Sequence, residues 1–156
     1  MNLFNTLTCE LVYTDELAQE FYQLENKAYE HAAGFDLRAV FDYDEMKVNS
    51  HSTALVPTGL KVWIKDPNVG GFIFPRSGLG CKQGINLGNG VGVVDADYQG
   101  EIKVCLFNRT SESFIIKPGD KIAQLVLIPI IHPEFKVMNE FSNQTQRSEK
   151  GFGSSG

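Results

Sequence analysis

From Gly34 onward the chain breaks into short β-type runs separated by turn-forming residues. Residues 55–64 are interrupted by Pro57-Thr58-Gly59, and residues 71–75 follow an Asp-Pro-Asn turn. Ile102, Val104 and Leu106 alternate with Glu101, Lys103 and Cys105, the period of a strand with one buried face. Residues 114–116 end at Lys-Pro-Gly-Asp, which introduces a further run over 121–131. Many short strands punctuated in this way predict an all-β sandwich, jelly roll or barrel-like fold. One segment departs from the rhythm. Leu17, Phe21, Leu24 and Ala28 have helical spacing behind a Thr14 or Asp15 cap, so a helix is predicted over 14–28, packed on the β body or on a neighbouring subunit.

The 156 residues suit one domain with a sizeable core, expected over 1–140. After Phe141 the composition turns polar and rich in glycine and serine, so 141–156 is expected to be a flexible C-terminal arm. Its single aromatic after that point, Phe152, is flanked by glycines, which suits a lid that closes one ring over something flat. Residues 1–10 carry neither a basic leader nor a long apolar run, and the apolar stretch near 122–131 is too short to span a bilayer; a cytoplasmic protein without membrane contact is expected. Cys9, Cys81 and Cys105 form no CxxC or His-Cys cluster, so neither zinc nor a disulfide framework is predicted. A formal charge of −5 with no Lys/Arg block argues against a nucleic-acid binder, but a small phosphorylated ligand needs only a few well-placed donors.

Residues 92–101 read Gly-Val-Val-Asp-Ala-Asp-Tyr-Gln-Gly-Glu. Apolar Val91, Val93 and Val94 on one side and the 102–106 run on the other mark buried β-structure, where an acid such as Asp95 is costly unless paired, hydrated or used. A plain β-turn accounts for the same residues. Residues 75–80, Pro-Arg-Ser-Gly-Leu-Gly, bring a guanidinium, a hydroxyl and two glycines together, a set suited to phosphate oxygens or simply to a tight turn with a surface Arg. Residues 33–39 read as a strand start with an exposed Asp36–Arg38 ion pair, and residues 119–124 as a turn entering a strand in which Gln124 is the odd polar member. His31, His51 and His132 lack metal-ligand spacing.

Taken in order, segments 33–39, 75–80, 89–101, 119–124 and 147–156 resemble the five ordered motifs of the trimeric dUTPase family, from about His31 to the last residue. The resemblance implies a distorted jelly-roll (β-clip) subunit and hydrolysis of dUTP to dUMP and pyrophosphate. It also implies Mg2+ on the triphosphate and a homotrimer with active sites between subunits. Such an enzyme limits uracil in DNA and supplies dUMP for thymidylate. Asp95 matches the aspartate that activates the attacking water, and Tyr98 the ring under the deoxyribose that leaves no room for a 2′-hydroxyl. Asn89 and the backbone at Gly92 match the uracil-reading hairpin; Arg76, Ser77 and Gly78 match the phosphate turn; Gln124 matches a glutamine at the α-phosphate. Asp36 matches an aspartate near triphosphate and metal, acting through water or an ion pair, and Asp97 is a supporting charge on the face of Asp95 if the strand is regular. In the arm, Arg147 matches the arginine on the terminal phosphate and Phe152 the ring stacked on uracil, with Gly153, Ser154 and Ser155 beside it. Ser148 and Lys150 stand where that family commonly has glycine, a source of strain wherever positive φ is needed. The rival readings are a dCTP deaminase, whose phosphate turn usually runs Arg-Ser-Ser, and a dUTPase-like nucleotide-binding regulator without turnover.

Overall fold

The computed structural model describes residues 7–23, 32–145 and 148–149. Two four-stranded antiparallel sheets carry the body. In the first, β1 (Glu10–Tyr13), β4 (Thr53–Trp63), β8 (Glu101–Asn108) and β6 (Ile85–Leu87) lie side by side in that order. In the second the order is β2 (Phe35–Arg38), β10 (Lys121–Pro129), β5 (Val69–Pro75) and β7 (Gly92–Val94). A separate antiparallel pair joins β3 (Met46–Val48) to β9 (Phe114–Ile116).

Alternation in the sequence becomes burial in the fold. On β8, Ile102, Val104 and Leu106 turn into the core, and Glu101, Lys103 and Cys105 face outward. Leu37, Leu60, Ile64, Ile85, Ile116 and Ile122 complete the best-buried part of that core. Two polar side chains are buried with them, and both are bonded. Thr58 Oγ1 donates to the Ile102 carbonyl at 2.6 Å, and the Asn108 amide donates to the Val48 and Glu112 carbonyls at 3.1 and 2.7 Å.

Two sequence expectations shift. The Pro57-Thr58-Gly59 interruption does not end a strand: β4 runs through it, and its register against β8 shifts between Pro57 and Lys61. Gly59 makes this possible, because its φ is +68° and a Cβ there would lie 2.5 Å from that of Ala18. The helix also ends sooner than its apolar spacing suggested. α1 spans Glu16–Tyr22, with the Asp15 carboxylate accepting from the Ala18 N–H at 2.8 Å as the N-cap. Gln23 then turns into the left-handed region at φ 45° and closes the C-terminus by donating to the Gln19 carbonyl. Leu24 and Ala28 lie outside the described residues. α1 packs on the β body, but the residues it buries are Ala18 and Tyr22, while Leu17 and Phe21 of the expected apolar face are only partly buried against the core.

Candidate functional site

The candidate residues that the structure describes fall into two clefts with no lining residue in common. The first, about 340 Å3, lies between β7, the turn that follows it and the outward face of β8, and holds Asn89, Gly92, Asp95 and Tyr98. Asn89 sits in the tight turn from β6 to β7, where Gly90 takes φ +74° and donates to the Leu87 carbonyl at 3.1 Å. Gly92 pairs with Ile73 across the sheet, bringing β7 main chain close to the wall of the cleft. The chain then leaves β7 in a turn closed by the Tyr98 N–H on the Asp95 carbonyl at 3.1 Å. Tyr98 is 44% exposed, yet its ring is pinned: Oη donates to the Glu101 carbonyl at 3.0 Å, and the ring lies over Gly100, where a Cβ would collide with Oη and Cζ. The Asp95 carboxylate is exposed and has no partner among the described residues. It is therefore uncommitted.

This geometry corrects the burial argument made from sequence. Val91 and Val93 are exposed, Val93 by 67%, because alternation along β7 turns Val93 to the face opposite buried Gly92 and Val94; only Val94 of the three is buried. Asp95 to Tyr98 form a turn, so Asp97 is not placed on the face of Asp95 by strand periodicity. The β-turn and the functional reading are compatible here. Glu101 and Lys103 also line the first cleft, although no role was assigned to them from sequence; their alternation with Ile102 and Val104 was the available signal.

The second cleft, about 220 Å3, is lined by Asp36, Arg76, Ser77, Gly78 and Gln124. Sheet order explains the meeting. β10 lies between β2 and β5, so Gln124 stands opposite Asp36 on one side, while Ala123 stands opposite Pro75 on the other. Arg76, just past β5, reaches across to Asp36, with Nε 3.0 Å from Oδ1. Lys121 takes the other oxygen, with Nζ 2.7 Å from Oδ2, and the Lys121 carbonyl accepts from Arg76 Nη1 at 3.2 Å. The expected Asp36–Arg38 pair does not form; Arg38 Nη1 instead donates to the Gly119 carbonyl at 2.8 Å. Gln124 is oriented by donating Nε2 to the Pro75 carbonyl at 3.1 Å. Ser77 and Gly78 are exposed, and nothing lies within 4 Å of a Cβ built at Gly78, so main chain there is open to a ligand. The following π-helical turn, Gly78–Lys82, is tied down by Arg109 Nη2 on the Gly80 carbonyl at 2.8 Å.

Arg147, Phe152, Gly153, Ser154 and Ser155 lie outside the described residues. Ser148 is described, and it adopts φ 48°, the left-handed conformation that glycine takes without strain. Its N–H is held by the carbonyl and Oγ1 of Thr145, both at 3.1 Å.

The family model for dUTPase matches residues 22–156. The chain belongs to the dUTPase family. It is 48% identical over 135 residues to the deoxyuridine 5′-triphosphate nucleotidohydrolase of Psychrobacter cryohalolentis, covering 86% of this chain and 87% of that protein. To the Pasteurella multocida protein of the same name it is 50% identical over 135 residues, covering 86% and 88%. In structure it resembles a Staphylococcus bacteriophage 80alpha dUTPase solved with dUpNHpp, with a TM-score of 0.81, 25% identity, and coverage of 97% of this chain and 99% of that one. Membership accounts for the all-β body and for the order of the motifs. The two clefts are this chain's own arrangement of those motif residues.

Proposed function

We propose that the protein hydrolyses dUTP to dUMP and pyrophosphate, and that the two clefts are complementary halves of its active site. One observation carries the reading: the described motif residues sort into one cleft with an uncommitted carboxylate beside a pinned aromatic ring, and another built around a guanidinium. The first suits a nucleoside and its reacting water; the second suits phosphate oxygens. In the first, Tyr98 bars a 2′-hydroxyl, and main chain near Asn89 and Gly92 reads the uracil edge. A base with the opposite donor pattern leaves polar groups unpaired and is rejected. Asp95 orients a water for attack on the α-phosphorus and takes its proton as the new P–O bond forms. The bond from the α-phosphorus to the bridging oxygen breaks, and pyrophosphate departs with that oxygen.

Magnesium enters as part of the substrate, held mainly by the phosphates with several of its waters retained. The donor set fits that mode: among the described residues no cluster of three or more His, Cys, Asp or Glu could hold a metal, and both Asp36 oxygens already face cations. Asp36 would meet the ion through water. The two separate clefts are compatible with the homotrimer that the family resemblance implies, in which the Asp95 cleft of one subunit would meet the Arg76 cleft of a second. Arg147 and Phe152 of a third would close it as a lid.

The test is pyrophosphate release from dUTP, dCTP and UTP with magnesium, for the parent protein and Asp95→Asn. Turnover of dUTP alone is expected, falling by several orders of magnitude on substitution while dUTP is still bound. Equal turnover by the variant refutes Asp95 as the base, and ammonia release from dCTP would identify a deaminase.

A further inference from the structure

We infer that Lys121 is a positioning residue for triphosphate binding: by sharing Asp36 with Arg76, it keeps the Arg76 guanidinium available to phosphate. The inference rests on the Arg76 cleft being the phosphate site. Lys121 meets the Arg76–Asp36 pair twice, through its ammonium on Asp36 Oδ2 at 2.7 Å and through its carbonyl, which accepts from Arg76 Nη1 at 3.2 Å. The carbonyl is presented by an irregularity in β10, whose register against β2 shifts between Lys121 and Ala123. Arg76 meets Asp36 with Nε 3.0 Å from Oδ1. A carboxylate facing a single guanidinium favours a two-pronged pairing, which would draw a terminal nitrogen of Arg76 away from the cleft. With Lys121 Nζ 2.7 Å from the second oxygen, that pairing has a competitor for Asp36. The three groups together keep one net positive charge beside Ser77 and Gly78. Without the ammonium that charge falls to zero, and a polyanion loses both an attraction and a preoriented donor.

The Lys121 side chain is exposed by about two-fifths and is not part of the buried core. Its removal should therefore act on phosphate recognition rather than on folding. The experiment compares parent, Lys121→Met, Lys121→Arg and Arg76→Ala by steady-state kinetics with dUTP, by titration with dUMP and dUTP analogues of increasing phosphate number, and by thermal melting. For Lys121→Met a KM for dUTP raised about tenfold is expected with kcat within about threefold, the signature of lost uniform binding. The affinity deficit should grow with phosphate number, deoxyuridine should bind as before, and Lys121→Arg should recover KM to within about threefold of the parent. An equal loss for deoxyuridine and dUTP, or a melting temperature lowered in step with KM, would make Lys121 merely structural and overturn the inference. An unchanged KM in Lys121→Met while Arg76→Ala weakens dUTP would also overturn it, leaving the phosphate cleft intact. If Arg76→Ala binds dUTP normally, the assignment of the cleft itself fails.

Discussion

Tyr22→Phe removes one oxygen from the molecule and should cost it about 2 kcal/mol, because that oxygen serves two main-chain groups at once. Among the described strands β2 is the outer one of its sheet, so the backbone of Arg38 needs a partner from outside the ladder on that side. The Tyr22 phenol on α1 supplies one: Oη accepts from the Arg38 N–H at 2.7 Å and lies 3.3 Å from the Arg38 carbonyl as donor. Tyr22 is 6% exposed and its ring stacks on Phe35 with centroids 5.8 Å apart, so water has little access to replace the lost hydroxyl. A buried donor left without an acceptor costs about 1–3 kcal/mol, and phenylalanine keeps the ring packing.

Alkaline pH separates this hydrogen-bond loss from any packing loss. Burial pushes the Tyr22 phenol well above its ordinary value of 10.0, against a weaker opposing pull from Arg38. Below that ordinary value the phenol is protonated in both folded and unfolded chains, and its full contribution is present. Above it the unfolded chain releases the proton while the folded chain keeps it, so stability falls by up to about 1.4 kcal/mol per pH unit until the folded value is passed. Denaturant unfolding at fixed protomer concentration, from about pH 7 to pH 11, should show the parent ahead by about 2 kcal/mol at neutrality and by less than about 1 kcal/mol at the alkaline end. Effects of pH common to both proteins cancel in the difference. A neutral-pH loss below about 0.5 kcal/mol, or a gap that stays constant across the range, would refute the reasoning.

Gly100→Ala forces the Tyr98 ring off its seat over residue 100, and should lower kcat/KM for dUTP more than about tenfold while admitting UTP, read from the ratio of the two rates. Gly59→Ala meets both a φ of +68° and the Ala18 Cβ at 2.5 Å, so a loss of about 3 kcal/mol in unfolding free energy is expected, with α1 the first element to lose protection in hydrogen exchange. Unfolding and refolding Asp95→Asn and Arg76→Ala chains together in equal amounts should return activity that neither shows alone, near one site in four if subunits mix at random about a three-fold axis. No recovery would place both clefts' contributions within a single subunit.

The sequence revealed more of the body than of the site's geometry. The alternation over 101–106 became the inward and outward faces of β8 as read, since a strand with one buried face has only one way to place a period of two. Residues 92–98 were harder, because valines read as buried wherever they fall, and the outer position of β7 in its sheet depends on pairing partners remote in sequence. For the same reason Asp36 was paired with its neighbour Arg38. The true partners, Arg76 and Lys121, are 40 or more positions away in sequence and come close only because β10 lies between β2 and β5. Lys121 was visible in the 119–124 segment, three residues before Gln124, but nothing in a turn motif distinguishes a solvated lysine from one holding a carboxylate.

The contrast between the two carboxylates bears on how the site divides its labour. Asp36 faces two cations, whereas Asp95 is exposed and has no partner among the described residues. On the proposed reading, exchanging these environments would set the reacting water beside a carboxylate already engaged by two cations, and an unpaired carboxylate beside the phosphates would repel them. β7 and the turn after it carry one acid and β2 the other, so Asp95 is open to solvent while the Arg76 cleft retains net positive charge. In the proposed assembly, docking the two clefts against each other would bring carboxylate and phosphates together with each already held in place by its own subunit, so neither would have to reorganise when substrate arrives.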